Sequence, residues 1–319
     1  MRRFTFVAAM FMLAATSARA ESGAFASVSS LDAGARARLE TNIAQARTRE
    51  PSTFDAVRSV VAHADELDRR KQGRFAPMGP IFRGIARGHA GAAMALLEPL
   101  VAPERFSLPS SDSARIALRA GLLEAAGDQR DPAAAPVFRA ILANATETFE
   151  VRAAAEALGK LAASGSAESA GDVALLARLA TTPGPKQDAV VAGLGSCRRI
   201  GAARALASVA SQGKRGMPAK WLLRSLAAMG STWALATPNA APAAEIPSIR
   251  ETTARAAFAM FLAAQDDDVR SEAATALVVI DHPDAPRWVA SARSSASPAL
   301  ATALDTLAQR LAHGATRTR

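Results

Sequence analysis

Tyrosine is absent from the chain, cysteine occurs once, and phenylalanine and tryptophan together contribute only twelve and three residues. Strands are built largely from aromatic and β-branched residues, so this scarcity, with little alternation of apolar and polar positions, excludes a β-sandwich or barrel. A single cysteine, Cys197, cannot form a disulfide within the chain. Histidine is scarce too. The four, at 63, 89, 282 and 313, lie far apart, without the three- or four-residue spacing or paired cysteines of a metal site, so no metal ion is expected. After the first twenty residues no apolar run of about 18 or more follows, so no membrane span is expected in the mature chain. Gly193-Leu194-Gly195-Ser196 lacks the closing glycine of a nucleophile elbow, and Gly184-Pro185-Lys186 is a turn rather than a phosphate loop. These absences point away from an enzyme, and no cofactor is expected.

What the chain has in abundance is alanine, 80 of 319 residues. That composition favours helices packed closely through small side chains. Half the residues are apolar and 21% are charged, enough apolar material for a large core. Arg2 and Arg3 precede an apolar run from Phe4 to Ala15, and Ala18-Arg19-Ala20 places small residues where a signal peptidase reads. Residues 1–20 are therefore expected to be a signal peptide, cleaved after Ala20, with an uncleaved anchor as the alternative, and the mature chain periplasmic or secreted. Its removal takes three arginines and no acid, lowering the formal net charge from +9 to +6. The remaining arginines are interspersed with acids. Solvated helix faces and local ion pairs explain them better than a polyanion site, and nucleic acid is not an expected partner.

Self-similarity organises the middle of the chain. Val151-Arg152-Ala153-Ala154-Ala155-Glu156-Ala157-Leu158 parallels Val269-Arg270-Ser271-Glu272-Ala273-Ala274-Thr275-Ala276-Leu277. Looser copies run from Ala114 to Leu122, Ala189 to Leu194, Leu222 to Met229 and Ala299 to Leu307. Leu122, Leu158 and Leu194 are 36 residues apart; Leu226, Leu277 and Leu307 follow at intervals of 32, 51 and 30. A second apolar helix precedes several copies, opened by Asp131-Pro132, Asp172 or His282-Pro283-Asp284.

These copies resemble HEAT repeats of the short bacterial kind, over about residues 110–312, best at 146–163 and 266–280. The resemblance implies an all-α chain, a right-handed α-solenoid of stacked antiparallel helix pairs, and a non-enzymatic scaffold that binds a protein or peptide. An accessory enzyme resembling the HEAT-like bilin lyases is the alternative. The expected organisation is a cap of divergent helical pairs over 21–110, repeats over 111–312 and a flexible tail at 313–319. Within the cap, helices are expected over 30–47, 54–71, after Pro80 and over 92–101. The 51-residue interval marks an insertion at 231–248, where Pro238, Pro242 and Pro247 break the helices.

The resemblance also implies that Arg152 and Arg270, at the starts of equivalent helices, pair with acids of neighbouring turns and hold repeats in register, a role favoured over ligand binding. Trp221 and Trp233 flank the start of the inserted segment and are the two candidate partner-binding residues, Trp221 being expected to pack within a helix. Trp233, in the inserted segment, is the expected exposed anchor for a partner. Asp266-Asp267-Asp268 lacks the spacing of a calcium loop and is expected to cap a helix. Cys197 is expected to be a small buried packing residue rather than a thiol activated by Arg198 and Arg199.

Overall fold

In a computed structural model, which describes Val28 and residues 31–70, 78–89, 91–163, 169–238 and 240–317, regular structure is entirely helical. The expected signal peptide, 1–20, lies outside the described residues. Among the described residues seventeen α-helices occur with three short 3-10 turns and no strand. Helix starts follow from short polar side chains that accept otherwise unpaired backbone N–H groups. Asp32 accepts from Ala35 N at 2.8 Å, Ser111 from Ala114 N at 3.1 Å and Asp266 from Asp268 N at 2.8 Å. Pro51, Pro136, Pro247 and Pro286 each stand in a first helical turn, where a missing N–H costs nothing.

The first five helices are α1 (Ala33–Arg49), α2 (Pro51–Ala62), α3 (Ala64–Arg69), α4 (Met78–Ala86) and α5 (Ala92–Val101). Then come α6 (Asp112–Asp128), α7 (Ala135–Asn144), α8 (Thr148–Ala162), α9 (Ser169–Thr181), α10 (Gln187–Leu194), α11 (Ile200–Ala210) and α12 (Gly216–Gly230). The last five are α13 (Thr232–Leu235), α14 (Ile246–Ala263), α15 (Asp267–Ile280), α16 (Ala285–Arg293) and α17 (Pro298–Arg317).

Packing follows a regular succession. Helix α4 lies against α6, α6 against α8, α8 against α10, α10 against α12, α12 against α15 and α15 against α17. Each later member of that series also holds the helix before it: α7 packs on α8, α9 on α10, α11 on α12, α14 on α15 and α16 on α17. Helices α9, α11 and α14 touch in turn. Small residues set the spacing. A Cβ built on Gly127 of α6 would lie 2.6 Å from Ala157 Cα of α8, and one on Gly193 of α10 would lie 2.6 Å from Arg152 O. Both helix pairs therefore approach closely only because these positions lack a side chain. Between α14 and α16 the contact is aromatic: Phe258 and Trp288 have ring centroids 6.2 Å apart, and the Arg255 guanidinium lies 4.7 Å over Trp288.

The buried core is one continuous cluster from Val28 to Leu311. It crosses residue 110, because α3, α4 and α5 all pack on α6. All ten residues of α5 are buried, including Glu98, which pairs with Arg47. Several details depart from the sequence reading. The helix expected over 54–71 is broken at His63 into α2 and α3, and Asp65 accepts from Ser110 N at 2.7 Å and Ser111 N at 3.1 Å, fastening the approach to α6. Helix α4 begins at Met78, two residues before Pro80. Irregular chain in the insertion is confined to the stretch between α13 and α14, with a 3-10 turn at Ala243–Glu245, since Pro247 stands inside α14. Helix α17 continues to Arg317, through most of the segment expected to be a flexible tail.

Candidate functional site

Trp233 is carried by α13, a single turn that follows α12 almost without interruption. Ser231 caps it by accepting from Ala234 N at 3.3 Å. The Thr232 hydroxyl donates to Ile280 O at 2.7 Å, and Arg250 donates to Ile280 O at 3.3 Å and to Asp281 O. The Thr232 bond ties the turn to the carbonyl end of α15, where Asp281 takes up left-handed backbone at φ +49°, and the Arg250 bonds tie α14 to the same end. Ala234 and Leu235 are buried beneath it, and Trp233 is left 84% exposed. Its ring borders a groove of about 780 Å³ whose walls include Val278 and Val279 of α15 and Thr306, Gln309 and Arg310 of α17. Val279 is itself 42% exposed. Two large apolar side chains thus share one open concavity with a few polar groups, the composition expected of a recognition surface.

A second concavity, about 820 Å³, lies between α11 and α14. Ala207, Ala256, Ala259 and Met260 form its apolar wall, with Arg215 and Arg255 among its polar residues. A third, about 210 Å³, holds Arg152 together with Glu124, Met78, Ile116 and Phe149. Burial pushes the Glu124 carboxyl above its usual range, Glu156 adds to the rise, and Arg83 and Arg152 oppose it.

Trp221 is half-buried in α12 and does not line the Trp233 groove, so the two tryptophans do not form one site. Arg152 and Arg270 do not make the pairings with neighbouring turns that were expected of them. Arg152 has no carboxylate within ion-pair distance among the described residues, and Glu124, in the same pocket, is engaged by Arg83 at 3.4 Å. Arg270 pairs at 2.7 Å with Asp267 in the first turn of its own helix and donates to Ala264 O. Other residues join neighbouring helices: Arg119 with Glu150, Lys160 with Asp128 at 2.6 Å, Arg139 with Asp172 at 2.6 Å, Lys220 with Asp268 at 2.7 Å and Arg224 with Glu272 at 2.9 Å. The Arg119–Glu150 pair is buried, with side chains 3% and 6% exposed.

Cys197 is fully buried, and burial pushes its thiol up to about 12 despite Arg199 nearby. His282 stacks on Trp288 at 4.9 Å and accepts from Asp284 N at 3.2 Å, a turn contact; burial and then Arg250 lower its proton affinity. Among the described residues no group of histidine, cysteine and acidic side chains is arranged to hold a metal ion. No helix among them is long and apolar enough to cross a membrane. Comparison with protein-family models, with curated proteins and with solved structures finds no match.

Proposed function

We propose that the chain is an exported, non-enzymatic scaffold that binds a protein or peptide partner, built as a right-handed α-solenoid of HEAT-like helix pairs. The observation that carries the binding function is Trp233, 84% exposed beside a groove that also presents Val279. Burying a large aromatic side chain against a partner is a favourable use of such a position, and tryptophan dominates the energetics of many interfaces. The solenoid reading is supported by the serial contacts of α6, α8, α10, α12, α15 and α17, each with a preceding helix at its side. Export rests on the charged start, apolar run and Ala18-Arg19-Ala20.

The test is capture from periplasmic extract with the wild-type mature chain and with Trp233→Ala in parallel. A species retained by the first and lost from the second is identified and titrated with both proteins. Equal affinity of the two proteins for every retained species rules out this groove as the binding surface. N-terminal sequencing of exported material, expected to begin at Glu21, tests the compartment.

A further inference from the structure

The concavity between α11 and α14 is separate from the Trp233 groove and shares no lining residue with it. Its volume, about 820 Å³, is that of a small-molecule site. Along α14 the wall runs from Thr252 through Ala256, Ala259 and Met260 to Ala263, one face of the helix over about three turns, or about 16 Å at the helical rise per residue. Ala207 and Ala210 of α11 line it too. Polar groups stand only toward its ends. Thr252 and Arg255 lie toward one, and Ser211, Lys214, Arg215, Gln265 and Asp266, in the segments that follow α11 and α14, lie at the other. Between them the wall is alanine and methionine.

This distribution selects the occupant. A peptide laid along the groove would set backbone N–H and C=O groups against methyl groups that cannot pair with them, and each group left unpaired there is costly. An alkyl chain carries no such groups and gains from every methylene buried. Met260, unbranched and adaptable in shape, suits such a chain.

Charge sets the other end of the ligand. Three cations line the groove against one carboxylate. Two of the cations and the carboxylate are committed: Lys214 donates to Asp188 at 2.9 Å, Arg255 donates to Glu251 at 2.9 Å and lies over Trp288, and Asp266 accepts from Asp268 N to cap α15. Arg215 is not. It is exposed, and among the described residues it makes no hydrogen bond or ion pair. Gly213 and Gly216, both in left-handed backbone, turn the chain on either side of it at the end of the groove. A guanidinium so placed matches a carboxylate in bidentate fashion.

We propose that the groove between α11 and α14 binds a long-chain fatty acid, its alkyl chain lying along α14 and its carboxylate meeting Arg215. Nothing in this inference depends on Trp233, so the two surfaces stand or fall separately.

The experiment titrates decanoate, below its micelle concentration, into the full chain by calorimetry, with hexanoate and 1-decanol in parallel. Decanoate is expected to bind saturably, one per chain, and hexanoate at least tenfold more weakly. Arg215→Gln should weaken decanoate at least fivefold and leave 1-decanol unchanged, which separates a contact with the carboxylate from a general loss of structure. Ala259→Trp fills the groove from an exposed helical position and should abolish both, with an unchanged circular dichroism spectrum and Tm. Arg204→Gln, an exposed arginine of α11 outside the groove, should bind decanoate as wild type does. Absence of saturable decanoate binding overturns the proposal. So does undiminished binding by Ala259→Trp, which would put the alkyl chain elsewhere, or by Arg215→Gln, which would put the carboxylate elsewhere. A protein bound by wild type and lost with Ala259→Trp, where decanoate neither binds nor competes, would make the groove a protein-docking surface and overturn it as well.

Discussion

Replacing Gly193 by alanine tests whether helix rows really approach as closely as the packing of α8 and α10 requires. In isolation the substitution is favourable: alanine in a helix is better than glycine by about 0.8–1.0 kcal/mol. Here a Cβ would lie 2.6 Å from Arg152 O, 2.8 Å from Glu156 N and 2.8 Å from Ala155 Cβ. Two of these neighbours are backbone atoms of α8, which cannot turn aside as a side chain would. Ordinary contact begins at 3.4 Å, so the two helices must part by about 0.8 Å at that point. Overpacking of this kind costs about 1–3 kcal/mol, and rigid backbone neighbours place it at the upper end. The net expectation for Gly193→Ala is a loss of about 1–2 kcal/mol. Gly84→Ala in α4 is the control, because a Cβ there meets nothing within 4 Å and only the propensity gain, up to about 1 kcal/mol, remains. Urea unfolding followed by circular dichroism should therefore move the two midpoints in opposite directions. A Gly193→Ala midpoint that rises with that of Gly84→Ala would refute the close approach.

The buried Arg119–Glu150 pair gives an asymmetric expectation: Glu150→Ala takes a carboxylate away from a buried guanidinium and should cost about 3–5 kcal/mol, whereas Arg119→Met with Glu150→Leu should cost much less in the same urea assay. Cys197 titrates at about 12 in the folded chain against an ordinary 9.0, so the fold favours the neutral thiol. That contribution is complete below pH 9 and is lost as pH rises from 9 toward 12; Cys197→Ala should remove this part of the alkaline decline, and the native thiol should resist a thiol reagent at pH 8 until the chain is unfolded. Trp233→Ala should leave the unfolding midpoint within about 0.5 kcal/mol of wild type while weakening a partner by about 2 kcal/mol, measured by melting and by titration.

The helices were legible because their signals are local. Leu122, Leu158, Leu194, Leu226, Leu277 and Leu307, the positions that marked the repeat, are all buried to 1% exposure or less, and Val151 and Val269 lie in the core beside them. Capping side chains and first-turn prolines sit within three residues of the ends they define. The break at His63 was not legible, since what fastens the chain there is Asp65 reaching Ser110 and Ser111, some 45 residues away. The C-terminal helix was underestimated for a related reason: Leu311 belongs to the core cluster and carries α17 past the end of the visible repeat.

For the candidate site the sequence identified residue types better than partners. The exposure of Trp233 followed from its place in an inserted segment, whereas the pairing of Arg152 and Arg270 depends on which acid each arginine meets, and that is set by register between helices. The register nevertheless leaves a numerical trace. The pairs Arg119–Glu150 and Arg139–Asp172 span 31 and 33 residues, and those between α12 and α15, Lys220–Asp268 and Arg224–Glu272, both span 48. Repeat leucines widen over the same region, from 36 residues between Leu158 and Leu194 to 51 between Leu226 and Leu277. Both intervals grow by roughly fifteen residues, so the extra chain is accommodated between α12 and α15 while these helices still meet side by side. Surface segments whose removal would leave the flanking contacts in place are where binding residues accumulate on rigid scaffolds. Trp233 sits in that segment, and the Thr232 hydroxyl fixes its turn to the end of α15. The insertion thereby gains a fixed aromatic without asking any core helix to change its packing.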